Sequence, residues 1–165
     1  MELEKTVRAL LDGGVEFVII GGVSATLHGS AQVTYDLDIC YSRDAQNPRR
    51  LADVLAPFQP RPRGFPDGLP FVWDEGTLRN GSIFTLQTSL GEIDLLAEVA
   101  GVGGYGEVFK SSLVVEAFGR QVRVLDLPGL IRAKRAAGRP KDMASLAELE
   151  SLLESGDVGP LGSEE

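Results

Sequence analysis

A single cysteine and a single histidine among 165 residues remove several chemistries at once. Cys40 alone forms no internal disulfide and builds no cysteine-based zinc site. His28 alone excludes a histidine-based metal centre, and its place at the end of a helical stretch suits packing or a hydrogen bond. No apolar run approaches the ~18–20 residues of a membrane span. The opening "MELEKTVRALLDGG" is charged and lacks the hydrophobic segment of a secretory signal, so a cytoplasmic location is the default expectation. Internal repeats are absent. Basic residues are outnumbered, 16 Lys and Arg against 24 acids for a net charge of −8, which argues against coating of nucleic acid by the whole surface.

What is present is an ordinary globular composition, 43% hydrophobic and 24% charged, in a length that suits one domain with a real core. Residues 1–155 read as that domain and 156–165 as a flexible tail. The positive charge is concentrated. "RAKRAAGRPK" holds Arg132, Lys134, Arg135, Arg139 and Lys141 with no acid among them. An acidic chain with one such patch suits a local phosphate ligand better than a long polyanion.

Leu3, Val7, Leu10 and Leu11 recur at helical spacing, and Gly13-Gly14 would stop that helix. "VEFVII" (15–20) reads as a buried strand, "GGVSATLHG" (21–29) as a tight turn into a short helix, and residues 34–41 as a second strand. Asn47-Pro48 supplies the cap and first turn of a helix running to about Phe58. Pro57, Pro60, Pro62, Pro66 and Pro70 mark an irregular connection. "SIFTLQT" (82–88) and "EIDLLAEV" (92–99) predict one hairpin. "LVVEAF" and "QVRVL" predict another, turning at Gly119-Arg120 with glycine first. Two helices follow, at about 128–137, stopped by Gly138, and at 140–154.

In "VTYDLDICY" (33–41) two aspartates sit one residue apart inside an apolar run. Alternation puts Asp36 and Asp38 on one strand face with Thr34 and Cys40, and Val33, Tyr35, Leu37, Ile39 and Tyr41 on the other. Carboxylates are costly to bury without a partner. At roughly 6.6 Å between alternate α-carbons, two of them can converge on a cation. Asp94, between Ile93 and Leu95, places a third acid on another strand. Three acids on neighbouring strands can hold two magnesium ions, the arrangement that clamps attacking and leaving oxygens in phosphoryl transfer. Taken singly, Asp-x-Asp and a half-exposed Asp94 are both common on solvated strands. Gly21-Gly22, between strand and helix, leaves backbone N–H groups where a phosphate can sit, with Ser24 as a hydroxyl donor; an ordinary turn is the alternative. Lys134 shares the inward face of its helix with Leu127, Leu130 and Ile131, so it either snorkels past the core edge or points into a cleft.

Strand, Gly-Gly, short helix, "VTYDLDI", and then a distant "EIDLL" resemble the nucleotidyltransferase superfamily that includes DNA polymerase beta. With "LPGLIRAKRAAGRPKD" and "LAELE", the order and spacing are most similar to minimal AbiEii-type toxins, over about residues 15–150. The resemblance implies an α/β (α+β) fold, a mixed β-sheet flanked by helices. It also implies two magnesium ions on Asp36, Asp38 and Asp94, with Asp94 completing the site as base. Gly21, Gly22, Ser24 and Lys134 would then hold the nucleoside triphosphate, with Asp142, Arg139 and Lys141 in a second rank. Relatives often carry arginine where this chain has Gln32, which removes a charge near the phosphates.

Several signals carry less. "GVGGYG" (101–106) fits G-x-G-x-x-G, but "EVFKSS" leaves no room for the helix a dinucleotide site needs. Cys40 reads as a small buried side chain rather than a nucleophile. Arg61 and Arg63 read as a solvated loop, with substrate contact as the lesser alternative.

Three functions compete. A metal-dependent nucleotidyltransferase would move a nucleoside monophosphate to an acceptor hydroxyl, on tRNA or a partner protein. A fold-sharing binding module, such as an antitoxin, would keep the pocket without turnover. A metal-dependent phosphohydrolase could use the same acids. Since the catalytic motifs span nearly the whole chain, the acceptor platform is expected from a homodimer or a small helical partner.

Overall fold

The computed structural model describes residues 2–156. Of the expected tail, Gly156 closes the last helix, and 157–165 lie outside the described residues.

Helix α1 (Leu3–Asp12) buries Thr6, Val7 and Leu10 and ends at Gly13, as its spacing predicts. Strand β1 (Phe17–Ile20) is buried at all four residues, which explains its unbroken apolar run: both sheet faces are covered there. Then come α2 (Gly21–Leu27), β2 (Asp36–Tyr41), α3 (Asn47–Leu55) with a 3₁₀ turn at Ala56–Phe58, and the short β3 (Arg61–Pro62). Helix α4 (Glu75–Asn80) precedes the hairpin of β4 (Ile83–Thr88) and β5 (Gly91–Leu96). A two-stranded pair, β6 (Glu98–Val99) with β7 (Gly103–Gly104), leads into α5 (Tyr105–Lys110). Strands β8 (Ser112–Ala117) and β9 (Arg120–Leu125) form the second hairpin, and α6 (Leu127–Ala137) and α7 (Pro140–Gly156) follow.

Seven strands form one mixed sheet in the order β3-β4-β5-β2-β1-β9-β8. The β2–β5 and β1–β9 pairs are parallel and the rest antiparallel. Leu37, Ile39 and Tyr41 pack on one face with Val7 and Leu10 of α1, Leu51 and Leu55 of α3, and Leu78 of α4. On the other face Val18, Ile20 and Cys40 meet Val108 of α5, Leu130 and Ile131 of α6, and Leu149 of α7. This is the expected α/β architecture, a mixed sheet flanked by helices.

Five local expectations need correction. Asn47 does not cap α3: it is the helix's first residue, and its side chain instead accepts from Glu16 N–H and donates to the Glu16 and Ser42 carbonyls. Strand β2 starts at Asp36, not at residue 34, because Ile20 and Glu92 pair with Asp38 and Asp36 and neither neighbouring strand extends the ladder further. Val33 and Tyr35 are therefore not core residues but 76% and 77% exposed. Helix α4 was hidden by the preceding prolines, although Asp74 caps it through Thr77 N (2.9 Å) and Thr77 Oγ1 (3.0 Å). The glycine-rich loop does run into a helix, since Tyr105–Lys110 turns with Val108 buried beneath it. Finally, the β8–β9 turn centres on Phe118-Gly119, because Ala117 pairs with Arg120. Both central residues have positive φ (57° and 72°), and Arg8 fixes the turn by donating to the Phe118 carbonyl (Nη2–O 2.8 Å).

Candidate active site

The β2–β5 register builds the acidic cluster. Asp38 lies beside Asp94, and Asp36 beside Glu92. One carboxylate oxygen from each of Asp36, Asp38 and Asp94 falls within 4.8 Å of the others. The parallel pairing thus makes the triad from residues far apart in sequence.

Asp38 is the inner member. Burial pushes its carboxyl up from 3.8 to about 7, and the charge of Asp94, a hydrogen bond to Asp94 and the charge of Asp36 push the same way, while Lys134 opposes them. Its Oδ1 is buried without a hydrogen-bond partner. A buried, unpartnered oxygen on a member of a carboxylate cluster fits a divalent cation, since a cation would satisfy it and relieve the repulsion.

Gly21 and Gly22 give β1 and α2 their close approach to β2. Gly21 has φ +65°, and a Cβ there would collide with Asp38 Oδ2; one at Gly22 would come within 2.6 Å of Thr34 Oγ1. Gly22 lines the cleft, but Gly21 and Ser24 do not. The Ser24 side chain is buried and donates to the Leu125 carbonyl (2.8 Å), as His28 does through Nε2 (2.8 Å). Ser24 and His28 thereby pin α2 to the end of β9, and the Ser24 hydroxyl proton is committed to that contact.

The cleft occupies about 480 Å³, within the usual range for small-molecule sites. Asp36, Asp38, Asp94, Gln32 and Tyr35 line it, as do Lys134, Arg139, Lys141 and Asp142. Lys134 thus points into a cleft, the second of its two readings. Its Nζ lies 3.3 Å from Oδ1 of Asp142, whose side chain is only 1% exposed. Arg139 donates to Asp142 through Nε (2.8 Å) and its backbone N–H (3.1 Å). The Arg139 side-chain bond, then its backbone N–H and Lys134, hold Asp142 down to about 2 against the opposing effect of burial. Asp142 therefore orients both cations. Arg132 and Arg135 instead contact Ser111 and Glu150, so helical geometry does divide the basic patch.

Cys40 is fully buried and its thiol is pushed up to about 12, first by burial, which suits packing rather than nucleophilic chemistry.

Arg63 corrects the solvated-loop reading. From the turn just after β3 its side chain crosses β4 to the acids: Nη2 is 2.8 Å from Asp94 Oδ1, Nε 3.2 Å from Glu92 Oε2 and Nη1 4.0 Å from Asp36 Oδ2. Nothing in "PRPRGFP" announces this, because Arg63 lies in a turn beyond a two-residue edge strand, where no periodicity marks a side chain's direction. Glu92 was also missed, although its i−2 spacing from Asp94 placed it on the acidic face.

No family model matches the chain, and no curated protein matches it. Solved structures do. The lincosamide antibiotic adenylyltransferase LnuA, in its lincomycin-bound form, shares 14% identity over 92% of this chain and 96% of its own, with a TM-score of 0.61. A Thermotoga maritima protein provisionally described as a nucleotidyltransferase shares 18% identity over 90% of each chain, with a TM-score of 0.58. The likeness at these identities is one of fold, and that fold is nucleotidyltransferase-like.

Proposed function

We propose that the protein transfers a nucleoside monophosphate from a nucleoside triphosphate to an acceptor hydroxyl and releases pyrophosphate. The observation that carries this reading is the placement of Asp36, Asp38 and Asp94 within 4.8 Å of one another in a cleft also lined by Lys134. Acids that converge beside a fixed cation suit a ligand that brings metal and phosphate together. The fold likeness supports the same reading.

Asp36, Asp38 and Asp94 would hold the magnesium ions, which when bound supply charge stabilisation at the attacking and leaving oxygens. The backbone at Gly21-Gly22, of which Gly22 lines the cleft, and the Lys134 ammonium bind the triphosphate. Asp142 keeps Lys134 oriented. Asp94 takes the proton of the acceptor hydroxyl as its oxygen bonds to the α-phosphorus. The bond from that phosphorus to the α–β bridging oxygen breaks, and its electron pair leaves with pyrophosphate.

The narrower grouping with AbiEii-type toxins rests on motif order alone. The acceptor is proposed to be a tRNA end or a partner protein, presented by a second copy or a small helical partner; a lincosamide-type small molecule is the alternative that the antibiotic-modifying neighbour suggests. Incubation with each α-labelled triphosphate, magnesium and cell extract tests the reading, and sedimentation tests the assembly. Label in a macromolecule or small acceptor supports transfer. Release of labelled nucleotide alone supports a phosphohydrolase. The binding-module reading takes its support from Arg63, which already neutralises part of the triad, and silence with all four nucleotides would favour it.

A further inference from the structure

Arg63 places a guanidinium where a cation is wanted. Its three carboxylate contacts are unequal. The Asp94 bond is short, the Asp36 approach is 4.0 Å, and Nε is buried without an aligned hydrogen bond despite lying 3.2 Å from Glu92. A guanidinium satisfies carboxylates best through parallel, bidentate bonds, and none of these pairs is bidentate. Asp38, the inner acid of the triad, gets no ion pair from Arg63. The side chain therefore balances the outer acids while leaving the innermost oxygen unsatisfied.

We propose that Arg63 is the built-in counter-ion of the acidic site and exchanges with the divalent cation. Resting on the metal role of the triad given above, this makes Arg63 a positioning residue. It holds Asp94 and Asp36 ready in the metal-free protein and gives them up on loading. Two like charges repel across one shared carboxylate and compete for its charge, so the Asp94 Oδ1–Nη2 contact weakens as the cation arrives. Glu92, half-buried and already 3.2 Å from Nε, is the anion that remains to receive the guanidinium. The backbone consequence falls on the proline-rich segment, since Arg63 N–H bonds to Thr85 O (2.9 Å) and Nη2 also reaches Leu86 O (3.2 Å).

The test is Mn2+ binding to the nucleotide-free protein, by titration calorimetry and by electron paramagnetic resonance of free Mn2+. Arg63→Gln keeps a donor for Leu86 and removes the competing charge, so it should bind Mn2+ about tenfold more tightly, the equivalent of one charge-assisted contact. Arg63→Lys should stay near wild type. Hydrogen exchange at residues 63–69 should quicken when Mn2+ is added to wild type. Equal or weaker binding by Arg63→Gln, or exchange that is unchanged or slowed, would overturn the counter-ion exchange while leaving the metal site standing. Absence of Mn2+ binding in every form would overturn the exchange and the transferase reading together. Thermal melting of each variant separates these outcomes from a failure to fold.

Discussion

Replacing Asp38 by asparagine should stabilise the metal-free protein, which is unusual for a change at a largely buried position. The Asp38 carboxyl is raised from 3.8 to about 7, first by burial and then by Asp94 and Asp36. Between about pH 4 and 7 the folded protein holds a proton there that the unfolded chain has lost. Folding is therefore penalised progressively as pH rises through that window, and the penalty is complete above about 7. Three pKa units correspond to about 4 kcal/mol, an upper bound that solvent access and relaxation of the neighbouring acids reduce to about 1–3 kcal/mol. Asparagine is nearly isosteric and uncharged, and can donate to Asp94. Urea unfolding of wild type and Asp38→Asn, at pH 5 and pH 8 without divalent metal, reads the effect directly. The variant should gain at pH 8 and gain much less at pH 5, and added Mg2+ should stabilise only the wild type. A variant destabilised equally at both pH values, or stabilised by Mg2+ as wild type is, would refute the reasoning.

Other consequences follow from the same geometry. Lys134→Ala should weaken triphosphate binding by about 1–3 kcal/mol, the range for a charge-assisted contact, as measured by calorimetry with a non-hydrolysable analogue. Gly21→Ala should cost about 1–3 kcal/mol or more in urea unfolding, because φ is +65° and the new methyl collides with Asp38. Asp142→Asn should cost about 2 kcal/mol at pH 7, since the native carboxyl is held down to about 2, first by Arg139. That contribution is present above about pH 4 and disappears as pH falls through 2, so the two proteins should converge in acid.

The sequence made the fold and half of the site legible, and the reason differs by residue. Asp36, Asp38 and Asp94 were readable because charge inside an apolar strand is costly and therefore informative. Lys134 was readable because helical spacing put it on the inward face. Ser24 sat in the right turn but turned to Leu125, a partner 101 residues away that no local pattern announces. Arg63 was missed for the same reason: its partners lie on β5 and β2, and it sits in the turn after a strand of only two residues. Val33 and Tyr35 continued the alternation of β2, but the ladder ends where its neighbours end. The Phe118-Gly119 turn shows the same limit, since pairing register rather than the glycine alone set its centre.

The central claim is that the triad directs attack at the α-phosphorus. Parallel reactions with α-labelled and γ-labelled triphosphate, run with wild type and Asp94→Asn, test it most directly. The account predicts that the α-label joins the acceptor, that the γ-label leaves as pyrophosphate, and that Asp94→Asn loses transfer while keeping much of its nucleotide affinity. Transfer of the γ-label to the acceptor, release of the γ-label as orthophosphate, or full transfer by Asp94→Asn would contradict it.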